Sequence, residues 1–321
     1  MTAEPNPTDA VTIAGEEPPA PACVMSFNAS DASGAGGSAG DVATIAAMGA
    51  HTLPVITSIV LRDSAEVFDQ HPIEAEHVAE QARTILEDVT LAAWKVGFLG
   101  SADNVAAVAE ILSDYPDVPL VAYMPNLGWV DDDELQSYLE AYRELILPAA
   151  EVLVGSHKTL TDFLLPDWDN ERSPSARELA VAAGEHGTRF VLVTGVMLPG
   201  SKGSKEQWID NVLASPQGAI TGEKFELFEA GFVGAGDTLS AALAALLASG
   251  AELSAAVGEA LQFLDQSLDA GFRPGMGNVV PDRFFWALPP ADDAEAPPDG
   301  AGENGSDGND SMPPGASRRV H

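Results

Sequence analysis

From residue 22 to about residue 194 the chain alternates short apolar, β-branched runs with helix-forming ones. Ala22–Asn28 reads as a buried strand and Asp41–Gly49 as a helix, followed by the β-branched run within His51–Leu61. Further helix–strand pairs follow at Ile73–Val89 and Ala92–Leu99, at Asn104–Ser113 and Val118–Tyr123, and at Asp132–Leu147 and Glu151–Gly155. Ser175–His186 and Arg189–Thr194 complete the series. Each connection is long enough to be a helix, so successive strands lie parallel. The expected fold is α/β, a three-layer sandwich whose mostly parallel central sheet carries helices on both faces. Ligands of such sheets sit beyond the carboxyl ends of the strands.

The chain has 321 residues, 45% of them hydrophobic, enough to build one large core. Its formal net charge of −34 excludes a nucleic-acid binder, which needs a basic face. An anionic ligand would need local positive groups or a metal. The single cysteine, Cys23, allows no intrachain disulfide. No apolar run approaches the roughly 18 residues of a membrane span, and the acidic, proline-bearing N-terminus is unlike a signal peptide. These features lead us to expect a cytoplasmic protein. Residues 1–21 and 289–321 are rich in Pro, Ala, Gly and acidic residues, and are expected to be disordered tails around one domain at 22–288.

Gly231-Phe-Val-Gly-Ala-Gly-Asp-Thr-Leu-Ser240 runs into an alanine–leucine stretch ending at Gly250. It reads as a glycine turn feeding a helix. The unpaired first-turn amides and the positive end of the helix dipole suit an anion, phosphate above all. Asp237 at this terminus is either a helix cap or a base beside the anion. A second glycine stretch, Ser30–Asp41, follows the first strand and can wrap a small ligand with its backbone.

The run Val233–Ala248 resembles the anion-hole motif of the ribokinase-like small-molecule kinases. Its helical tail is most similar to the hydroxymethylpyrimidine and phosphomethylpyrimidine kinases of thiamine biosynthesis. The Ser30–Asp41 stretch resembles that family's substrate loop, in register through Thr44–Ala50 and Pro54–Thr57, and the resemblance covers about residues 22–287. It implies a ribokinase-like fold and transfer of a phosphoryl group from ATP, with Mg²⁺, to a hydroxymethylpyrimidine. The monophosphate of that pyrimidine is left open as a second acceptor. Asp237 is the implied catalytic base, and Gly234, Ala235 and Gly236 the implied anion hole. Substrate contacts fall on Ala29, Asp31, Gly36, Asp41, Arg62 and Phe98. Lys95, in Lys95-Val-Gly-Phe-Leu99, lines the pocket or is ordinary strand packing. Thr194 and Gly195, with Gly275 and Gly277, are implied to face ATP.

Several positions differ from the family pattern. Arg62 stands where the family has a substrate-contacting Gln, and favours an anionic group. Thr194 replaces a Lys, and Tyr123 an Asp. His157 and Leu160 replace the Asn and Glu that help hold Mg²⁺, leaving the metal ligands unassigned. Asp237 agrees with ribokinase and pyridoxal kinase, where many pyrimidine kinases carry Cys. The alternatives are a kinase for pyridoxal and a binding or regulatory homologue without catalysis. A homo-oligomer is left open.

Overall fold

The structure, a computed structural model, describes residues 20–198 and 207–287. Nine strands form one sheet in the order β3-β2-β1-β4-β5-β6-β7-β8-β9. They are β1 (Cys23–Asp31), β2 (His51–Arg62), β3 (Val67–Pro72), β4 (Ala93–Val96), β5 (Leu120–Tyr123), β6 (Val152–Ser156), β7 (Phe190–Met197), β8 (Trp208–Ser215) and β9 (Gly218–Glu226). Strands β2, β1, β4, β5, β6 and β7 run parallel, as the alternation predicts. Strand β3 folds back on β2, and β8 and β9 extend the other edge, all antiparallel.

The helices are α1 (Gly37–Ala47), α2 (Ala75–Leu86), α3 (Ala102–Ser113), α4 (Asp132–Ala141), α5 (His157–Leu164), α6 (Ala176–Glu185), α7 (Ala235–Ala248) and α8 (Leu253–Asp269). Side chains alternate across each strand, and the two faces have separate cores. Val24, Ala93, Val121 and Val152 meet α1, α7 and α8. Their neighbours Met25, Trp94, Ala122 and Leu153 meet the layer of α2 to α6. The three-layer expectation is borne out. The helix predicted from Asp41 begins earlier, at Gly37, inside the glycine stretch. The expected tails, apart from residues 20 and 21, lie outside the described residues.

The same period of two places the polar residues. On β1, Ser26 and Asn28 continue the face of Val24. On β4, Lys95 continues the face of Ala93, and on β5 Tyr123 continues that of Val121. Register pairs Ser26 with Lys95. The face beneath α1 and α7 therefore turns from apolar to polar as the strands approach their carboxyl ends. The first turns of both helices stand above that end. Helix α7 is buried along nearly its whole length, from Thr238 to Leu246, which fixes where its N-terminus points.

Candidate active site

Helix α7 opens on Gly234, which adopts φ +88°. A side chain there would be strained and would run into the Ala35 carbonyl of the substrate loop. The two glycine stretches are thus in backbone contact, although about 200 residues separate them in the chain. The amides of Ala235, Gly236 and Asp237 occupy the first turn, where no intrahelical acceptor reaches them. The Tyr123 ring lies directly against Gly236, in the space a Cβ would fill.

Asp237 is held from three elements. Lys95 Nζ and Asn28 Nδ2 each donate to its Oδ1 at 2.8 Å. The Gly37 amide, the first of α1, donates to Oδ2 at 3.1 Å. Burial works to raise its pKa. The Lys95 charge and the hydrogen bonds from Lys95, Asn28 and Gly37 outweigh that and hold the carboxyl below its usual range. Asp237 is therefore ionised at neutral pH, and it is 15% exposed toward a cavity of about 610 Å³.

Ala29, Asp31, Gly36, Arg62, Phe98, Gly234 and Asp237 share the lining of that cavity. A Cβ on Gly36 would stand 2.7 Å from Asp237 Oδ2, so the loop closes on the carboxylate at a residue without a side chain. Asp31 Oδ1 accepts from the Ser33 amide and hydroxyl, shaping the loop, while its Oδ2 faces Arg62 Nη1 at 3.7 Å. Phe98 packs edge-on to Trp129, with centroids 5.3 Å apart, making an aromatic wall.

Asp41 is elsewhere. The residue implied as a substrate contact is fully buried and absent from the cavity lining. Lys95, Ser26 and Asn28 all donate to its Oδ2, and Lys95 Nζ also stands 2.8 Å from Oδ1. Burial raises its pKa, Lys95 works against that, and the Asp237 charge raises it further. Lys95, read from sequence as pocket wall or strand packing, is neither. It is wholly buried between Asp41 and Asp237, and its Nζ stands 5.6 Å from the Tyr123 ring centroid.

Gly275 and Gly277, implied to face ATP, lie beside the cavity's β2 edge. Both pack on Ser64, in the turn between β2 and β3, and the Gly277 amide donates to Ser64 Oγ at 3.1 Å. They brace the Arg62 side of the cavity, because the missing side chain of Gly275 leaves room for the Ser64 hydroxyl and that of Gly277 for the Ser64 backbone. Thr194 and Gly195 end the parallel part of β7, where the Gly195 amide donates to Asn211 Oδ1.

One site residue has no counterpart in the sequence expectations. Arg283 is 5% exposed and threads behind the α7 turn. Its Nε donates to Thr238 Oγ1 at 3.1 Å and its Nη2 to the Ala35 carbonyl at 2.5 Å. It therefore ties the substrate loop to the anion turn with a buried positive charge. Its sequence signal is slight: one arginine beside Asp282 in the mostly apolar stretch Val279–Trp286.

Magnesium takes oxygen ligands in octahedral geometry. The segment Ser156–Leu160 does not fit it. His157 Nε2 is hydrogen-bonded to the Pro174 carbonyl at 2.7 Å, Lys158 pairs with Asp162, and Leu160 is buried in the core. Among the described residues no cluster of three metal-ligating side chains occurs. No described helix is long and apolar enough to cross a membrane.

A family model described as phosphomethylpyrimidine kinase matches residues 31–282. The hydroxymethylpyrimidine/phosphomethylpyrimidine kinase of Streptomyces coelicolor is 30% identical over 278 residues, covering 84% of this chain and 97% of that protein. The chloroplastic thiamine biosynthetic bifunctional enzyme of Arabidopsis thaliana is 31% identical over 252 residues, which are 77% of this chain and 46% of that longer protein. In fold, the chain is similar to a Bacillus subtilis pyridoxal kinase (TM-score 0.71, 22% identity, 84% of this chain and 100% of that one). It is also similar to a Clostridium difficile phosphomethylpyrimidine kinase (TM-score 0.61, 20% identity, 76% and 97%). The fold is that of the ribokinase-like kinases.

Gly234→Ala tests the contact between the two loops. It places a non-glycine residue at positive φ and against backbone, so it is expected to cost more than the roughly 1 kcal/mol of a simple Gly→Ala change at such a position. Thermal melting measures this. An unchanged melting temperature would show that the loops do not depend on one another.

Proposed function

The chain belongs to the phosphomethylpyrimidine kinase family, and on that premise we propose that it transfers the γ-phosphoryl group of ATP to the hydroxymethyl group of 4-amino-5-hydroxymethyl-2-methylpyrimidine. The observation that carries this reading is the placement of Asp237. An ionised carboxylate opens onto a ligand-sized cavity at the start of a helix whose first amides are free. The acceptor hydroxyl would donate to Oδ2, the one carboxylate oxygen not held by Lys95 and Asn28. As the hydroxyl oxygen bonds to phosphorus and the bond to the departing ADP breaks, the hydroxyl proton passes to Asp237. The amides of Ala235, Gly236 and Asp237 meet the negative charge of the phosphoryl group. Arg283 stiffens that turn from behind and adds positive potential. Phe98 and Trp129 offer ring faces to the pyrimidine, and Asp31 and Arg62 offer polar partners at its edge.

A positioned base contributes about 10²–10⁴ in rate. Asp237→Asn keeps the size and removes the charge, so turnover is expected to fall by that factor while substrate KM changes little. ADP formation is assayed with the hydroxymethylpyrimidine, its monophosphate and pyridoxal. Full turnover in Asp237→Asn would remove the base assignment. A second reading, a binding protein without catalysis, is favoured by the misfit of Ser156–Leu160 to Mg²⁺. Ligand binding without ADP formation in the wild type would establish it over the kinase.

Arg62 generates a further expectation. A guanidinium gains most from a phosphate, so the monophosphate should bind better than the free alcohol. Arg62→Gln should weaken the monophosphate alone, by roughly ten- to a hundredfold, the range of a hydrogen bond to a charged group. Equal losses for both ligands in a calorimetric titration would confine Arg62 to its pairing with Asp31.

A further inference from the structure

We infer that the buried Asp41–Lys95 pair is a positioning device for Asp237: Lys95 divides its charge between two carboxylates, and Asp41 decides how much of it falls on Asp237. The inference rests on the reading of Asp237 as base.

Lys95 Nζ stands 2.8 Å from Asp41 Oδ1, 2.9 Å from Asp41 Oδ2 and 2.8 Å from Asp237 Oδ1. Asn28 spans the same gap in parallel, donating to Asp41 Oδ2 at 2.9 Å and to Asp237 Oδ1 at 2.8 Å. Ser26 Oγ donates to the same Asp41 Oδ2 at 2.5 Å. Strands β1 and β4 thus bridge a carboxylate on α1 to a carboxylate on α7. The arrangement is asymmetric. Asp41 gives both oxygens to the bridge and is sealed from the cavity. Asp237 gives only Oδ1; its Oδ2 accepts from the Gly37 amide, and the residue lines the cavity. A clamp that served only to hold α1 and α7 together would not need one of its carboxylates to face a ligand space.

The charge count explains the second carboxylate. When Asp237 takes the hydroxyl proton it becomes neutral. With Asp237 as its sole partner, Lys95 would then be an uncompensated buried cation, which is strongly unfavourable. Asp41 keeps Lys95 paired on both sides of the proton transfer, so Asp237 can act as a base without stranding a charge. The other groups facing the trio do not supply this. Tyr123 on β5 is neutral, its pKa raised by burial and by both carboxylates. Arg283 is a second cation, bonded to carbonyls and to Thr238. Asp31 is turned toward Arg62.

Asp41→Asn is close in size and leaves Lys95 wholly on Asp237. We expect turnover to fall about tenfold or more, with substrate KM within about twofold. The charge-neutral double variant Asp41→Asn/Lys95→Met releases Asp237 from the cation. Its turnover is expected to recover relative to the single variant. The removed cation had favoured the ionised carboxylate, so the acid limb of its pH–rate profile should move upward by roughly 1–3 units. The double variant carries the test by itself if the single variant does not fold. A rise in KM with turnover retained would show that Asp41 touches substrate, and would overturn the inference. So would a folded double variant no faster than the single one and without a moved acid limb, the signature of a merely structural pair. Full turnover in Asp237→Asn would instead remove the base reading beneath it, so the two failures are distinguishable.

Discussion

The site depends on a lysine that should not, by itself, be where it is. Lys95 is fully buried at the end of a central strand. Removing an ammonium from water costs several kcal/mol even after relaxation, and only close counter-charges with good geometry offset it. Two carboxylates from two different helices supply them. Burial lowers the Lys95 pKa, and the charges of Asp237 and Asp41 more than reverse that, so it stays protonated. The lysine in turn fixes where α1 and α7 begin relative to the sheet. The substrate loop enters the first helix and the anion turn enters the second. Both glycine stretches therefore converge on one carboxylate because one buried cation holds both helices.

The same arrangement shows how a chain of net charge −34 can receive an anion. The general field is unfavourable, so the local one must dominate. Positive potential comes from the α7 N-terminus, from Arg283 behind it and from Arg62 across the cavity. Both Lys95 and Arg283 are shielded from solvent, where their fields are screened least. Lys95 is neutralised by its carboxylates, which leaves Arg283 as the buried cation without a carboxylate bonded to it among the described residues.

Much of this was legible in the residues. Strand–helix alternation fixed the parallel core of the sheet, because βαβ connections permit few other solutions. Glycine spacing marked the anion turn and the substrate loop. The antiparallel edges were harder to read. Strand β9 is half-exposed and carries Gly, Lys and Glu, so it lacks the apolar run that marks the central strands. Strand β3 is short and largely exposed. Asp41 was read as a substrate contact because its place in the loop motif is visible in sequence, whereas its partner Lys95 lies 54 residues away on another element. Arg283 was scarcely legible. Its partners are carbonyls and a hydroxyl, which leave no mark in the sequence. Gly275 and Gly277 are implied to face ATP by resemblance to the family's C-terminal glycine segment, and their bracing on Ser64 is seen only in the fold.

The account stands on Asp237 being an ionised carboxylate, held so by Lys95 and aimed into the cavity. Carbon-13 NMR of aspartate-labelled protein, with the Asp237 signal assigned by its disappearance in Asp237→Asn, reports that ionisation directly. The account predicts a carboxylate shift for Asp237 that stays at its ionised value between about pH 5 and 8, below which ordinary aspartates begin to titrate. A titration of Asp237 within that range would show a carboxyl that takes up its proton near neutrality. That result would contradict both its pairing with Lys95 and its standing as the base.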